Sequence, residues 1–179
     1  MEFSKLLEER RSIRAYKAGA KISKEEIEQM IYAAQQAPSW KNSQTGRYFV
    51  ALSDEAVKAL RNTCLPGFNY ERTENVCAFI VTAFEKGQSG FKPDGEPTDE
   101  HGNGWGCYDL GLQNQNLLLK ARELGYDTLI MGLRDEQKIR EMMNIPEDMG
   151  MMSVIAVGKR DVEPQKPERK SIGEIAKFY

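Results

Sequence analysis

Apolar positions recur along the chain at two spacings, and the switches between them mark its elements. Ile27, Met30, Ile31 and Ala34 repeat at helical spacing, Ser23-Lys24-Glu25-Glu26 ahead of them reads as a capping box, and Pro38 stops the run. Phe3, Leu6 and Leu7 form a shorter amphipathic start. RYFVAL (47–52) and CAFIVTAF (77–84) are aromatic and β-branched runs, each short enough to be a buried strand. SDEAVKALRNTC, between them, opens on a cap residue and two acids, so a helix joins the strands.

Periodicity lapses over residues 85–106, where six glycines and two prolines predict a long loop or lid. Helical patterning resumes from Tyr108 through Leu112, Leu119 and Leu124, with Gly125 as a stop. YDTLIMG (126–132) reads as a strand, DEQKIREMMN (135–144) as a helix ended near Pro146, and MMSVIAVG (151–158) as a further strand. The tail, 159–179, is rich in Lys, Arg, Glu and Pro, then turns apolar at Ile172, Ile175, Phe178 and Tyr179, an ending that a solvated tail does not need. The order αα-β-α-β-loop-α-β-α-β-tail, with no internal repeat, predicts a helix-covered mixed sheet.

Composition narrows the setting. A chain of 179 residues, 40% hydrophobic and 29% charged, suits one globular domain over 1–179. A net charge of -2 provides no basic field for nucleic acid. No apolar run approaches the roughly 20 residues that span a bilayer, and MEFSKLLEERR lacks a signal peptide's apolar centre, so a cytoplasmic location without membrane association is expected. Cys64, Cys77 and Cys107 are odd in number and widely spaced, which suits reduced thiols.

Several chemistries drop out. GNGWG (102–106) lacks the third glycine of a dinucleotide fingerprint and sits in a loop. There is no GxxxxGK[ST] phosphate loop, and the cysteines with the single His101 show no zinc spacing, so no metal site is expected. Nothing in the pattern orients Cys107 and His101 as nucleophile and base.

RRSIRAY (10–16) survives this pruning. Arginine presents a planar fork of donors that binds phosphate oxygens bidentately, and Ser12 adds a hydroxyl. The competing reading is a solvated basic turn paired with Glu8 and Glu9. In SWKNSQTGRYFV, Ser39, Asn42 and Gln44 cluster ahead of a strand, where they can read a polar heterocycle or polyol; ordinary turn chemistry favours the same residues.

RRSIRAY, APSWKNSQTGRYFV, FNYER and GYDTLIMG in this order, followed by AVGKRD and a basic tail, resemble the nitroreductase family of FMN-dependent NAD(P)H oxidoreductases over nearly the whole chain. The resemblance implies an α+β fold with a central, mainly antiparallel sheet covered by helices, built as an intertwined homodimer with FMN at the interface. Arg10, Arg11, Ser12 and Arg14 are then expected at the phosphate, ribityl chain and pyrimidine edge, with Arg169 and Lys170 closing on the phosphate. Pro38, Ser39, Trp40 and Asn42 are expected from the other subunit. Asn69 and Arg72 match positions near the flavin, and the backbone of Ile130, Met131 and Gly132 would approach the isoalloxazine.

The chemistry accords with that resemblance. A terminal phosphate carries about -1.5 to -2 charges near neutral pH, an apt partner for fixed arginines. Arg14 or Arg72 would stabilise negative charge on a reduced ring. The expected activity is ping-pong hydride transfer from NAD(P)H through FMN to a small-molecule electron acceptor such as a nitroaromatic or quinone. The alternatives are a flavin-binding dimer with little turnover, or a reductive dehalogenase-like relative. Two residues depart from the family pattern: Trp40 replaces a small polar residue, which would narrow or cap the pocket, and Thr45 replaces a proline. Residues 85–106 fall where the family places its variable lid.

Overall fold

Residues 78–84 are buried without interruption, as a strand covered on both faces requires, and they form most of β2 (Ala78–Glu85). The computed structural model describes residues 2–179. Helices α1 (Phe3–Glu9) and α2 (Lys24–Gln35) lead to β1 (Gly46–Ala51). Then α3 (Asp54–Cys64) and a short α4 (Gly67–Glu71) precede β2. The long helix α5 (Gly104–Glu123), β3 (Asp127–Met131), α6 (Glu136–Met143), β4 (Met149–Gly158) and a short α7 (Ile172–Ile175) complete the order.

The four strands run in the order β1-β2-β4-β3 and every pairing between them is antiparallel. This corrects the mixed sheet expected from the alternation of helices and strands. α3 followed by α4, which the sequence pattern does not announce, turns the chain so that β2 runs back alongside β1. Among the described residues the only parallel contact is an isolated bridge between Ser12 and Thr128, which lays the N-terminal segment against β3.

Each face of the sheet carries its own core. Phe79, Val81, Leu129, Met131 and Val154 pack with Leu60 and Ile139 of α3 and α6. Ile80, Ile155 and Val157 pack with Ile27 and Met30 of α2 and Leu117 of α5. The expected caps form: the Glu26 amide donates to Ser23 Oγ at 3.2 Å, and the Ser23 amide to Glu26 Oε2 at 2.8 Å. α5 begins at Gly104, so the last three residues of the expected 85–106 loop are helical. Two glycines in its first turn hide the start in sequence, yet Gly106 is required there: a Cβ would lie 2.3 Å from the Phe84 ring. At Gly150, in the similarly extended start of β4, a Cβ would lie 2.5 Å from the same ring. Among the described residues no helix is long and apolar enough to cross a membrane.

Candidate functional site

After α1 the backbone turns extended and is held against β3, the Ile13 amide donating to the Thr128 carbonyl at 3.0 Å. Ile13 and Tyr16 are buried, and the Tyr16 hydroxyl donates to the Ile13 carbonyl at 3.0 Å. A Cβ on Gly158 would sit 2.6 Å from the Tyr16 ring, so that glycine lets the segment lie close. With Ile13 inward, strand alternation turns Ser12 and Arg14 outward.

Arg10, Arg11, Ser12, Arg14 and Arg169 line one cavity of about 160 Å³, completed by the 164–167 stretch of the tail. No carboxylate lines it. Among the described residues none of these four arginines makes an ion pair, because the nearby acids are engaged elsewhere: Glu9 with Arg122 at 3.1 Å and Lys5 at 3.7 Å, Glu8 with Lys166. The ion pairs with Glu8 and Glu9 that the solvated-turn reading names are not formed, although Arg11 also borders a cavity with both acids. Arg11 Nε is buried with no acceptor. Burial, then Arg11 and Arg169, push the Arg10 guanidinium below its ordinary value. Lys170 is exposed and does not line the cavity.

A buried acid braces the cluster from behind. Asp127, at the start of β3, accepts from Arg160 at 2.6 and 2.8 Å and from Arg122 at 3.4 Å, while Arg160 also reaches the Glu9 carbonyl at 3.2 Å. Hydrogen bonding to Asp127 raises the Arg160 pKa well beyond its ordinary value. Sequence alone offered no sign of this brace.

Arg14 shares a second cavity, of about 210 Å³, with Arg72. Glu71, Glu74 and Asp161 also line it. The Arg72 guanidinium lies 4.7 Å from the Phe68 ring centre. Asn69 is buried on α4 and its Nδ2 donates to the Leu133 carbonyl at 2.7 Å, which fastens α4 to the end of β3. There Ile130 is exposed, Met131 is in the core, and a Cβ on Gly132 would meet nothing within 4 Å. Met131 can thus contribute through its backbone only.

Pro38, Ser39, Trp40 and Asn42 line neither cavity. They precede β1, at the opposite edge of the sheet from β3, and three strand spacings put those edges about 14 Å apart. The turn they occupy is unusual. Lys41, Asn42 and Gln44 all have left-handed backbones, with φ of 46°, 56° and 50°. Ser39 Oγ accepts from the Gln44 amide at 3.0 Å, and Trp40 lies 4.6 Å from Trp105 between ring centres. Asp109 on α5 accepts from the Trp40 amide at 2.9 Å and from the Ser89 hydroxyl. An acid at a core-facing helix position is a legible signal that the sequence reading passed over; Ser89 carries none.

Residues 86–103 are held by internal contacts, including a bridge between Phe91 and Pro97 and two bonds from the Trp105 indole to Asp99 at 3.0 and 2.9 Å. Cys107 contacts Met152 at 3.6 Å and burial raises its thiol, while His101 faces Glu100, so the two form no nucleophile and base pair. No metal-binding group of side chains occurs among the described residues.

The fold is an antiparallel sheet between two helical layers, with a cavity lined by arginines that form no ion pair beside β3. The chain belongs to the nitroreductase family, whose model matches residues 7–159. It is 32% identical over 161 residues to a protein of Archaeoglobus fulgidus provisionally assigned as an NADH dehydrogenase or NAD(P)H nitroreductase, covering 88% of this chain and 84% of that one. A provisionally assigned nitroreductase of Exiguobacterium sibiricum, solved with FMN, superposes with a TM-score of 0.81 at 27% identity, covering 100% of this chain and 98% of that chain. A nitroreductase family protein of Streptococcus pneumoniae shares the fold at a TM-score of 0.84 and 19% identity, over 99% of this chain and 100% of that one. These relatives support an oxidoreductase.

Proposed function

We propose that the protein is an FMN-dependent NAD(P)H oxidoreductase that works as a homodimer and reduces an electron-poor small molecule such as a nitroaromatic or quinone. The observation that carries this reading is the cavity in which Arg10, Arg11, Arg14 and Arg169 converge with no carboxylate partner. Four arginines without a carboxylate partner, one with a buried, acceptor-less Nε, fit a terminal phosphate. The FMN held by the Exiguobacterium relative and the nicotinamide donors in the Archaeoglobus relative's name point the same way.

On this reading Arg10, Arg11, Ser12 and Arg169 hold the phosphate, with Lys170 free to swing in. Arg14 and Arg72 supply positive charge to the pyrimidine edge, which favours the electron-rich form. Asn69 stiffens the margin of the ring site, and Ile130 with Gly132 leaves an open surface for a flat ring. Pro38, Ser39, Trp40 and Asn42 serve the site of a second copy, since one chain keeps them at the far edge of its own sheet. When bound, FMN supplies two-electron redox chemistry between NAD(P)H and the acceptor in alternation. Residues 86–103 act as the lid of the single 1–179 domain, and the free thiols accord with a cytoplasmic setting.

Purified protein tests this directly. A yellow preparation, bleached by NAD(P)H and recoloured by a quinone, with FMN released on denaturation, is the expected result. Stoichiometric FAD, or a colourless protein that takes up no FMN, refutes the assignment; yellow without bleaching selects the flavin-binding dimer instead.

A further inference from the structure

A carboxylate without a cation sits between two segments that the fold could otherwise let move apart. Asp109, in the second turn of α5, is 3% exposed. Among the described residues it makes no ion pair, so this buried side chain depends on hydrogen-bond donors to satisfy it. Its two donors come from different places. One is the Trp40 amide, at the mouth of the left-handed turn; the other is the Ser89 hydroxyl, in residues 86–103. Both reach the same oxygen, Oδ2.

One further contact joins the same two segments directly, and both of them pack against α5. Ser43 and Ser89 hydroxyls are 3.4 Å apart, and the Trp40 and Trp105 rings meet. Gly90, at φ +82°, lies so close to Trp105 that a Cβ would be 2.5 Å from its ring. The Gly90 carbonyl accepts from both the amide and the hydroxyl of Thr98 at 2.8 Å. Lifting residues 86–103 away would therefore strip the Ser89 hydroxyl from Asp109 Oδ2, the same buried oxygen that holds the Trp40 amide at the mouth of the strained turn.

We propose that Asp109 is a positioning residue that couples residues 86–103 to the 39–44 turn, so that closure of the segment and presentation of Ser39, Trp40 and Asn42 to the cofactor of a second copy are one event. Its consequence for cofactor binding rests on the FMN reading above; the coupling does not.

Hydrogen exchange resolved to peptides, together with near-ultraviolet circular dichroism, tests the coupling in apo and FMN-loaded protein. Both tryptophans of the chain, Trp40 and Trp105, lie in this cluster, so their band reports the contact itself. Asp109→Asn is expected to raise exchange at least tenfold in 39–45 and 86–103 together, alter the tryptophan band, leave β2 and β4 unchanged, and weaken FMN binding at least tenfold. Ser89→Ala keeps the carboxylate and the Trp40 bond, so faster exchange in the turn as well as in 86–103 isolates the link from local packing. Exchange that rises in one segment only, or in neither, overturns the coupling, and Ser89→Ala decides by the same criterion if Asp109→Asn does not fold. Linked exchange with FMN affinity unchanged within twofold overturns the presentation of the turn to the cofactor. A parent protein that shows the linkage but takes up no FMN upholds the coupling and overturns the FMN reading.

Discussion

Replacing Arg10 by Ala removes one of four guanidinium groups lining a cavity that contains no carboxylate, so its effects on ligand binding and on the empty fold should diverge. Charge-assisted hydrogen bonds contribute about 1.5–3 kcal/mol when desolvated. Arg10 is only half-buried, so screening puts it toward the lower end, roughly a 10- to 30-fold loss of FMN affinity. The empty fold behaves differently. Arg11 and Arg169 both act on Arg10 as like charges, so its removal relieves repulsion and should leave apo melting unchanged or slightly higher. Titration of apo protein with FMN, followed by flavin fluorescence, gives the first quantity and thermal denaturation the second. An unchanged affinity, or a fall in apo stability that accounts for the whole loss, refutes the assignment of this cavity to a phosphate.

Other consequences are independent of that experiment. Gly106→Ala should destabilise by about 1–3 kcal/mol in denaturant titration despite Ala's better helix propensity, because its Cβ meets the Phe84 ring at 2.3 Å; a neutral or stabilising result would show that the ring yields easily. Asp99 is held below its ordinary value of 3.8, first by the His101 amide and also by the Trp105 indole. A depressed carboxylate stabilises above its unfolded value and loses that contribution as pH falls through the folded one. Tryptophan fluorescence should therefore change below about pH 3.8 and Asp99→Asn should abolish that step; a step that persists in the variant would exclude Asp99 as its source. Sedimentation with absorbance detection should find flavin on a dimer, and a monomer with full flavin occupancy would contradict the shared site.

The helices and strands were legible because their signals are local. Ser23 and Glu26 form the capping box that their spacing announces, and Gly125 ends α5 at φ +83°. Strand direction was not local. Alternating helices and strands are compatible with parallel or antiparallel neighbours, and the difference lay in α4, five residues including Gly67 without a side-chain cap. The start of α5 was hidden for the opposite reason, since Gly104 and Gly106 argue against a helix that close packing on Phe84 demands. Among site residues, the arginines could be read from their clustering. Asp109 was legible too, as an acid at a core-facing helix position, whereas Asp127 and Ser89 were not, because their partners lie 33 and 20 residues away.

The separation of the expected site residues follows from the strand order. Arg10 to Arg14 lie along β3 and the Ser39 turn leads into β1, and β1-β2-β4-β3 makes these the two outer strands. No hinge within the chain can bring them together without tearing a sheet whose central strands β2 and β4 are buried almost throughout. A second copy can supply the missing half without such a cost, and twofold closure would build two equivalent sites at once. On the FMN reading, cofactor binding and dimer assembly are thermodynamically linked. FMN should lower the dimer dissociation constant, and dilution should release flavin cooperatively with the subunits. The proposed Asp109 coupling adds a further requirement, because the turn each subunit would offer to its neighbour would be set by its own residues 86–103. A change confined to that segment should therefore be felt at the cofactor of the other subunit, where no atom of it need make contact.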